Sequence, residues 1–403
     1  MIIFCLVVVF YTAFKGAYYF LANRLQELGI LFSLILFLYS SFLAALNVRD
    51  KDLKWTFWMS VTILFLCFAF ILPGYIFSNN IGVSMMPSVA ASREFLIALI
   101  GPALYFLGRI GFDVDDLSKI ITVTIGSIVI SYIFHYLRID LAAANLSSDV
   151  AIKGMVTNDA RGLRLKAPSV ALFMGTIISG YLAFKKTGDM WRYYWVAVFG
   201  FAIFSWIILQ ARAPTAMLIL GTLIYHFCFA RKTRVGMLLI VLATLLTIYP
   251  FVINQYFLLM SQMDGGVRYN SYLIAFNVIS EYPILGLGQA SNYTLSEGDL
   301  FGHHFYSSDL GIIGVTFKHG ILGAILYVFF VIYALVRAVK INWLIVARTG
   351  SVNILLVAAI IKLFTDLLMI VLSYHYVQVH GVALVAMVIA ITALYKLKYQ
   401  VSK

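Results

Sequence analysis

Residues 264–323 read DGGVRYNSYLIAFNVISEYPILGLGQASNYTLSEGDLFGHHFYSSDLGIIGVTFKHGILG, a polar, aromatic, glycine-rich island set between strongly apolar runs. It holds Arg268, the turn signal Glu281-Tyr282-Pro283, a Gly286-Leu287-Gly288 turn, the adjacent His303 and His304, and Asp309. On either side of it, runs of about 20 apolar residues recur, the length that crosses a hydrocarbon core as a helix. The contrast decides the fold. The apolar runs are scaffold, and polar groups gathered in one segment of so apolar a chain face water and do something.

The rest of the chain agrees. Of its 403 residues 63% are hydrophobic and 11% charged, and the mean hydropathy is +0.96. That composition excludes a soluble globular protein of this size. The runs are continuously apolar, whereas the strands of a membrane β-barrel alternate, so a barrel is excluded as well. The expected fold is an all-α polytopic membrane protein, one domain over residues 1–403, with about twelve spans near 2–22, 28–47, 55–77, 94–111, 120–137, 168–184, 193–209, 215–230, 237–253, 311–336, 351–373 and 381–395. The N-terminal MIIFCLVVVF has no basic region and no small-residue cleavage site, and it is expected to be a retained first span. Cys5, Cys67 and Cys228 all lie in apolar runs and form neither a metal-binding spacing nor a disulfide framework.

The net charge of +12 would suggest nucleic acid in a soluble protein; here it sets topology. Short basic connections carry Arg49, Lys51 and Lys54, then Lys119, Lys185, Lys186 and Arg192, Arg231, Lys232 and Arg234, Arg337, Lys340 and Arg348, and the tail carries Lys396, Lys398 and Lys403. The positive-inside rule makes these cytoplasmic and puts both termini inside. Two long segments, about 138–167 and about 254–310, are then external loops, and loops of that length are usually functional. Over Asn270–Ile279, Tyr272, Leu273, Phe276 and Ile279 recur at helical spacing, so the second loop is expected to be partly helical and to lie over a cavity between spans.

Most external basic residues concentrate in those two segments or between them: Arg138, Lys153, Arg161, Arg164, Lys166, Arg212 and Arg268. They run against the topological bias, and an anionic ligand on the external face gives them a reason. The planar guanidinium matches phosphate oxygens in a bidentate way, and each hydrogen bond to a charged group contributes roughly 1.5–3 kcal/mol. The competing assignment for each arginine is an anchor for lipid headgroups.

Arg268, then Tyr282-Pro283-Ile284-Leu285-Gly286-Leu287-Gly288, then a helix opening Ser308-Asp309-Leu310 and reaching Lys318-His319-Gly320-Ile321-Leu322-Gly323, resembles the O-antigen polymerase and O-antigen ligase superfamily of integral membrane type-C glycosyltransferases. The pattern there is an arginine, a Pro-hydrophobic-hydrophobic-Gly-x-Gly turn, and a span with Gly-Ile-x-Gly. Arg212 matches the family's Ser-Arg-Gly/Thr position, with Ala211 in place of the Ser and Ala-Pro-Thr following. The resemblance covers roughly residues 155–330, and the N-terminal spans fit by number and apolarity alone. It implies metal-independent transfer of a glycan from undecaprenyl diphosphate to an acceptor sugar at the external face of the bacterial cytoplasmic membrane. It implies no cofactor; the partners are the undecaprenyl-diphosphate-linked oligosaccharide, membrane lipids and a candidate chain-length regulator. Arg212 and Arg268 take the diphosphate-binding positions. The ligases place a His eleven residues before the first Gly of Gly-x-x-Gly; here that position is Asp309, which favours a polymerase.

The chemistry has two demands. Charge on the departing diphosphate calls for preorganised cations, and Arg268 and Arg212 are the first candidates, with Arg164 and Arg161 next. The acceptor hydroxyl must lose a proton, and Asp309, His304 and His303 are the candidate bases. Asp309 after two serines is also how a helix cap looks, and loop histidines are usually just solvated. Lys15, Arg109, Lys318, His319, Lys362 and Asp366 are ionisable groups inside expected spans. Lys362 and Asp366, four apart, suit an internal salt bridge, the alternative being a proton path. Asp113-Val114-Asp115 resembles the metal–nucleotide triad of soluble glycosyltransferases but falls on an expected cytoplasmic loop. The alternatives to a polymerase are a ligase acting on lipid A core or another surface acceptor, and a flippase or transporter for a lipid-linked solute.

Overall fold

A computed structural model describes residues 1–15, 22–47, 53–147, 155–159, 162–185, 190–209, 212–229, 267–289, 295, 297–302, 305, 307–370 and 378–401. The chain is an all-α polytopic membrane protein. Among the described residues six helices are long and apolar enough to cross a membrane, or seven if the bent pair Met85–Ala91 and Arg93–Arg109 is one span. Three shorter apolar helices accompany them, Ile2–Ala13, Ser169–Phe184 and Pro214–Phe229. The expected span at 237–253 lies outside the described residues.

The order is α1 (Ile2–Ala13), α2 (Ala22–Asn47), α3 (Leu53–Leu66), a π-turn (Cys67–Ile71), α4 (Leu72–Ile81), α5 (Met85–Ala91), a 3-10 segment (Arg93–Leu99), α6 (Ile100–Arg109), α7 (Val114–Arg138) and α8 (Leu141–Asn145). Then come β1 (Val156–Asp159), β2 (Gly162–Leu165), α9 (Ser169–Phe184), α10 (Trp191–Leu209), α11 (Arg212–Ile224) with a π-turn (Tyr225–Phe229), α12 (Val267–Glu281), α13 (Glu297–Phe301), a 3-10 turn (Ser307–Leu310), α14 (Gly311–Thr349), α15 (Ile354–Leu368) and α16 (Val379–Val401).

Local chemistry accounts for several boundaries. Pro73 lacks an N–H and crowds the carbonyl four residues back; the π-turn widens the helix there and Pro73 falls in the first turn of α4. α4 closes on Gly82 and α14 on Gly350, both left-handed. α7 opens on Asp113, which accepts from the Asp115 N–H, has Asp115 and Asp116 in its first turn and ends on Arg138, so charges oppose the helix dipole at both ends. Hydroxyls in the apolar helices return to the carbonyl four residues back, as Thr122, Ser131, Thr176 and Ser205 do, so these four need no water inside the bilayer.

Of the six long spans α16 is the most buried and the one beginning at Thr56 the least; α16 packs along α6 and α14, and α15 is buried from Leu355 through Asp366. The outward faces remain apolar, with Phe57, Leu64, Val196, Ile207, Ile325 and Phe329 exposed, as a lipid surface requires. Lys362 is bonded to Asp366, both buried, and its ammonium lies 5.6 Å from the Phe173 ring centre. This is the internal salt bridge expected from their spacing.

Two segments differ from expectation. Residues 138–167, expected as a plain loop, contain α8, capped by Asp140, and an antiparallel hairpin pairing Val156 with Leu165 and Asp159 with Gly162. Four-residue strands are too short to display an alternation. The basic residues Arg337, Lys340 and Arg348, expected in a connection, belong to α14, which runs 39 residues, on the order of 58 Å. Packing on the α11 region extends it: Asn342 donates to the Tyr225 hydroxyl (3.1 Å) and Trp343 to the Phe229 carbonyl (2.7 Å). The helix expected over Asn270–Ile279 is present as α12, seated on a satellite apolar core of Phe77, Tyr272, Ala275, Val278, Leu287, Phe305, Leu310 and Phe317.

Candidate functional site: an interlocked turn beside a polar cavity

The Pro283–Gly288 turn and a break in α14 form one structure. Inside α14, Gly320 adopts φ 64° and ψ −177°. An unbroken helix would bond the Ile321 N–H to the Phe317 carbonyl and the Leu322 N–H to the Lys318 carbonyl. The turn takes all four groups instead. Leu287 N–H donates to Phe317 O (2.8 Å) and Gly288 N–H to Lys318 O (2.9 Å), while Pro283 O accepts from Ile321 N–H (2.9 Å) and Ile284 O from Leu322 N–H (3.3 Å). The break therefore leaves no main-chain group of these pairs unmet.

Such contact demands glycine. A Cβ on Gly320 would lie 2.0 Å from Ile284 O, one on Gly286 2.5 Å from Gly320 N, and one on Gly288 2.4 Å from Phe77 N. All three also have positive φ. Gln289 N–H then donates to Pro73 O (3.0 Å), which ties the turn to the start of α4.

The break places Lys318 and His319 on the wall of a cavity of about 230 Å³. Lys15, Glu94, Phe95, Gln289, Gln378 and His380 line it too. An adjoining space of about 30 Å³ shares Lys15, Glu94, Val379 and His380 and reaches Gln26. Among the described residues, distant parts of the chain thus converge: the ends of α1 and α5, the 3-10 segment before α6, the turn, the start and break of α14 and the start of α16. Among the described residues Lys15 is the one non-glycine with positive φ, at 63°. Lys318 is paired with Glu297 at 2.7 Å, with side chains only 13% and 16% exposed. Glu297 also accepts from the Ser307 N–H (3.1 Å) and hydroxyl (2.9 Å). Burial alone would raise its pKa, but the Lys318 ammonium and the Ser307 hydrogen bonds outweigh that and hold it below the ordinary value. The His319 ring is buried, 5.2 Å from the Tyr327 ring.

The cavity residues and the basic residues occupy opposite ends of the long helices. On α14 Lys318 is near the start and Arg337, Lys340 and Arg348 toward the end; on α16 His380 is at the start and Lys398 at the end. At that far end Lys398 reaches Asp113 (2.9 Å) and Asp115 (2.6 Å), and the Tyr395 hydroxyl donates to Asp115 (2.7 Å). The Lys398 hydrogen bond, then the Asp115 N–H, hold the Asp113 carboxyl below its usual pKa. The Asp113-Val114-Asp115 triplet is therefore a clamp between α7 and α16.

Of the residues singled out from sequence, Asp309 lies exposed in the 3-10 turn, two residues past Ser307 and so beside the Glu297–Lys318 network; the N-cap position of α14 itself is Leu310. Arg164 leaves β2 and donates to the Leu209 carbonyl (2.8 Å) at the end of α10, three residues before Arg212. Arg212 opens α11 and Arg268 is the second residue of α12, but their side chains lie outside the described residues, as do Arg161, His303 and His304 entirely. Glu297, Glu94, Gln289, Gln378 and His380 were not singled out. Lys318 and His319 are legible in the sequence as ionisable groups in a span and as part of the Gly-Ile-x-Gly motif, but the Glu297 partner of Lys318 lies far away in sequence. Among the described residues no group of three or more His, Cys, Asp or Glu is placed to hold a metal ion.

No protein-family model, curated protein or solved structure matches the chain, so its own residues carry the functional argument.

Proposed function

We propose that the protein is a polysaccharide repeat-unit polymerase, a metal-independent glycosyltransferase that moves a glycan from undecaprenyl diphosphate to an acceptor sugar. The observation that carries this is the interlock: the Pro-x-x-Gly-x-Gly turn and the Gly-Ile-x-Gly break, two motifs 30 or more residues apart, meet backbone to backbone beside a polar cavity. The location is the external face of the bacterial cytoplasmic membrane, with about twelve spans and both termini cytoplasmic. The basic ends of α14 and α16, opposite the cavity, support that orientation. O-antigen, capsule and exopolysaccharide are the product classes this chemistry serves.

In the transfer, the acceptor oxygen bonds to the anomeric carbon as the carbon–phosphate oxygen bond breaks. The diphosphate departs with the electron pair, and Arg212, Arg268, Arg164 and Arg161 are assigned to receive its charge. Arg212 and Arg268 sit in the first turns of helices, where unpaired N–H groups attract an anion as well. Asp309, His304 or His303 takes the acceptor proton.

Purified protein with undecaprenyl-diphosphate oligosaccharide is expected to yield a ladder of longer products. Arg268→Ala and Arg212→Ala are each expected to abolish it while the protein still inserts; a full ladder from both rejects the mechanism. A ligase is told apart by gene loss: without a polymerase single repeat units reach the acceptor, and without a ligase full-length chains remain on the carrier. A flippase would use Lys318, Lys362 and Asp366 as pathway residues. Lys362 and Asp366 already satisfy each other, which weighs against it; flux in liposomes with no glycosidic bond formed would favour it.

A further inference from the structure

Among its described lining residues the cavity at the α14 break holds no arginine, and its chemistry is that of lysines, acids, amides and imidazoles. Its lysines are accompanied by acids: Lys318 is bonded to Glu297, and the Glu94 carboxylate acts on Lys15, with Lys166 of the hairpin segment acting on Lys15 as well. Lysine ammonium groups only donate and a carboxylate only accepts, while the Gln289 and Gln378 amides and neutral imidazoles do both. Phosphate oxygens at pH 7 chiefly accept, so a phosphate would leave Glu94 facing a like charge. Sugar hydroxyls both donate and accept, which suits a wall that mixes donors and acceptors. Phe95 and Val315 supply an apolar side for a ring's C–H face. At about 230 Å³ the space is smaller than the roughly 300–1,000 Å³ of pockets that hold drug-sized molecules, a size that suits one ring.

The wall is also preorganised. Lys318 is held by an ion pair, His319 by the helix break, and Lys15 in a left-handed backbone conformation that non-glycine residues rarely adopt. Conformations of that kind persist where the surroundings impose them, and they cluster at ligand sites.

We propose that this cavity, walled by Lys15, Glu94, Gln289, Lys318, His319 and His380, binds one uncharged sugar ring of the glycan, with Glu94 accepting and Lys15 donating hydrogen bonds to its hydroxyls. The ring's identity as part of a lipid-linked glycan rests on the glycosyl-transfer function above; the binding itself is measured without any transfer.

The test uses the full-length protein in phosphatidylethanolamine–phosphatidylglycerol nanodiscs. Saturation-transfer NMR is read with methyl glycosides of glucose, galactose, mannose and N-acetylglucosamine, and with inorganic phosphate as competitor. At least one glycoside is expected to give a signal that phosphate does not displace. In Glu94→Gln that signal is expected to fall about fivefold or more, as loss of a charge-assisted hydrogen bond does. In Ala91→Phe, which adds a ring at another residue lining the cavity, it is expected to vanish, and in Lys398→Met, at the far end, to stay. Unchanged thermal unfolding certifies each variant as folded, and the near-isosteric Glu94→Gln covers a failure of Ala91→Phe. No glycoside signal, a signal equal in wild type and both cavity variants, or displacement by phosphate overturns the proposal, the last making this an anion site. Binding without a product ladder sinks the polymerase alone; a normal ladder from folded Ala91→Phe sinks the cavity site alone.

Discussion

At one end of the bundle Lys398 reaches Asp113 and Asp115, at 2.9 and 2.6 Å; at the other Lys318 reaches Glu297 at 2.7 Å. The residue types and distances are nearly the same. The surroundings are not. The Lys398 side chain is 37% exposed, and its two acids sit where a helix start favours them, so the cluster does no more than staple α7 to α16. Lys318 is 13% exposed, stands at a break that the fold closes with a second piece of chain, and faces a cavity. An acid–lysine motif thus acquires meaning from burial and from the backbone that carries it.

The largest expected difference between the two ends is steric. Gly320 and Gly350 both lie in α14 or at its end with positive φ, but a Cβ at Gly350 meets nothing within 4 Å, whereas one at Gly320 lies 2.0 Å from a carbonyl oxygen. Gly350→Ala carries only the cost of its left-handed backbone, about 1 kcal/mol. Gly320→Ala adds an overpacking clash of about 1–3 kcal/mol or more. Thermal unfolding in detergent should show a small shift for the first and a loss of cooperative unfolding, or a far larger shift, for the second. Equal shifts would mean that the interlock is not what holds this end.

Next comes charge. Removing one member of a buried pair leaves an unpaired ion and costs about 3–5 kcal/mol, against roughly 0.2–1 kcal/mol at an exposed pair. Lys318→Met is therefore expected to destabilise the protein and abolish the product ladder, and Lys398→Met to leave the ladder intact. A ladder surviving Lys318→Met would reduce both clusters to staples.

The smallest contrast is in pH. The folded pKa of Glu297 is depressed, so its contribution is fully present above the ordinary value of 4.5 and is lost as pH falls through the folded value. Hydrogen exchange in residues 297–310 should stay constant from pH 7 down to about 5 and rise only in stronger acid, after correction for intrinsic rates. A rise already near pH 6 would assign the latch to another group.

That the chain is an all-α membrane protein was legible because the apolar runs are long and hydrophobicity is unmistakable in them. The Lys362–Asp366 pair and the α12 helix were legible for a similar reason, being local, with partners three or four residues apart. What could not be read was non-local. Glu297 and Lys318 are 21 residues apart, and Lys15 and His380 come from the two ends of the chain. Gly286 and Gly288 were recognised as turn glycines, but that their turn is inserted into a helix more than thirty residues later is a tertiary fact without a local pattern. The short hairpin at 156–165 escaped for want of length.

Because the turn grips the helix through main-chain atoms, the side chains of Ile284, Leu285 and Ile321 contribute little to the grip, and the first two and Ile321 are exposed. Drift among those positions should be nearly invisible to the architecture, while a single inserted residue on either partner would put every donor opposite the wrong acceptor. Distant cousins of this chain are thus better sought by the intervals between Gly286, Gly288 and Gly320 than by the letters that lie between them.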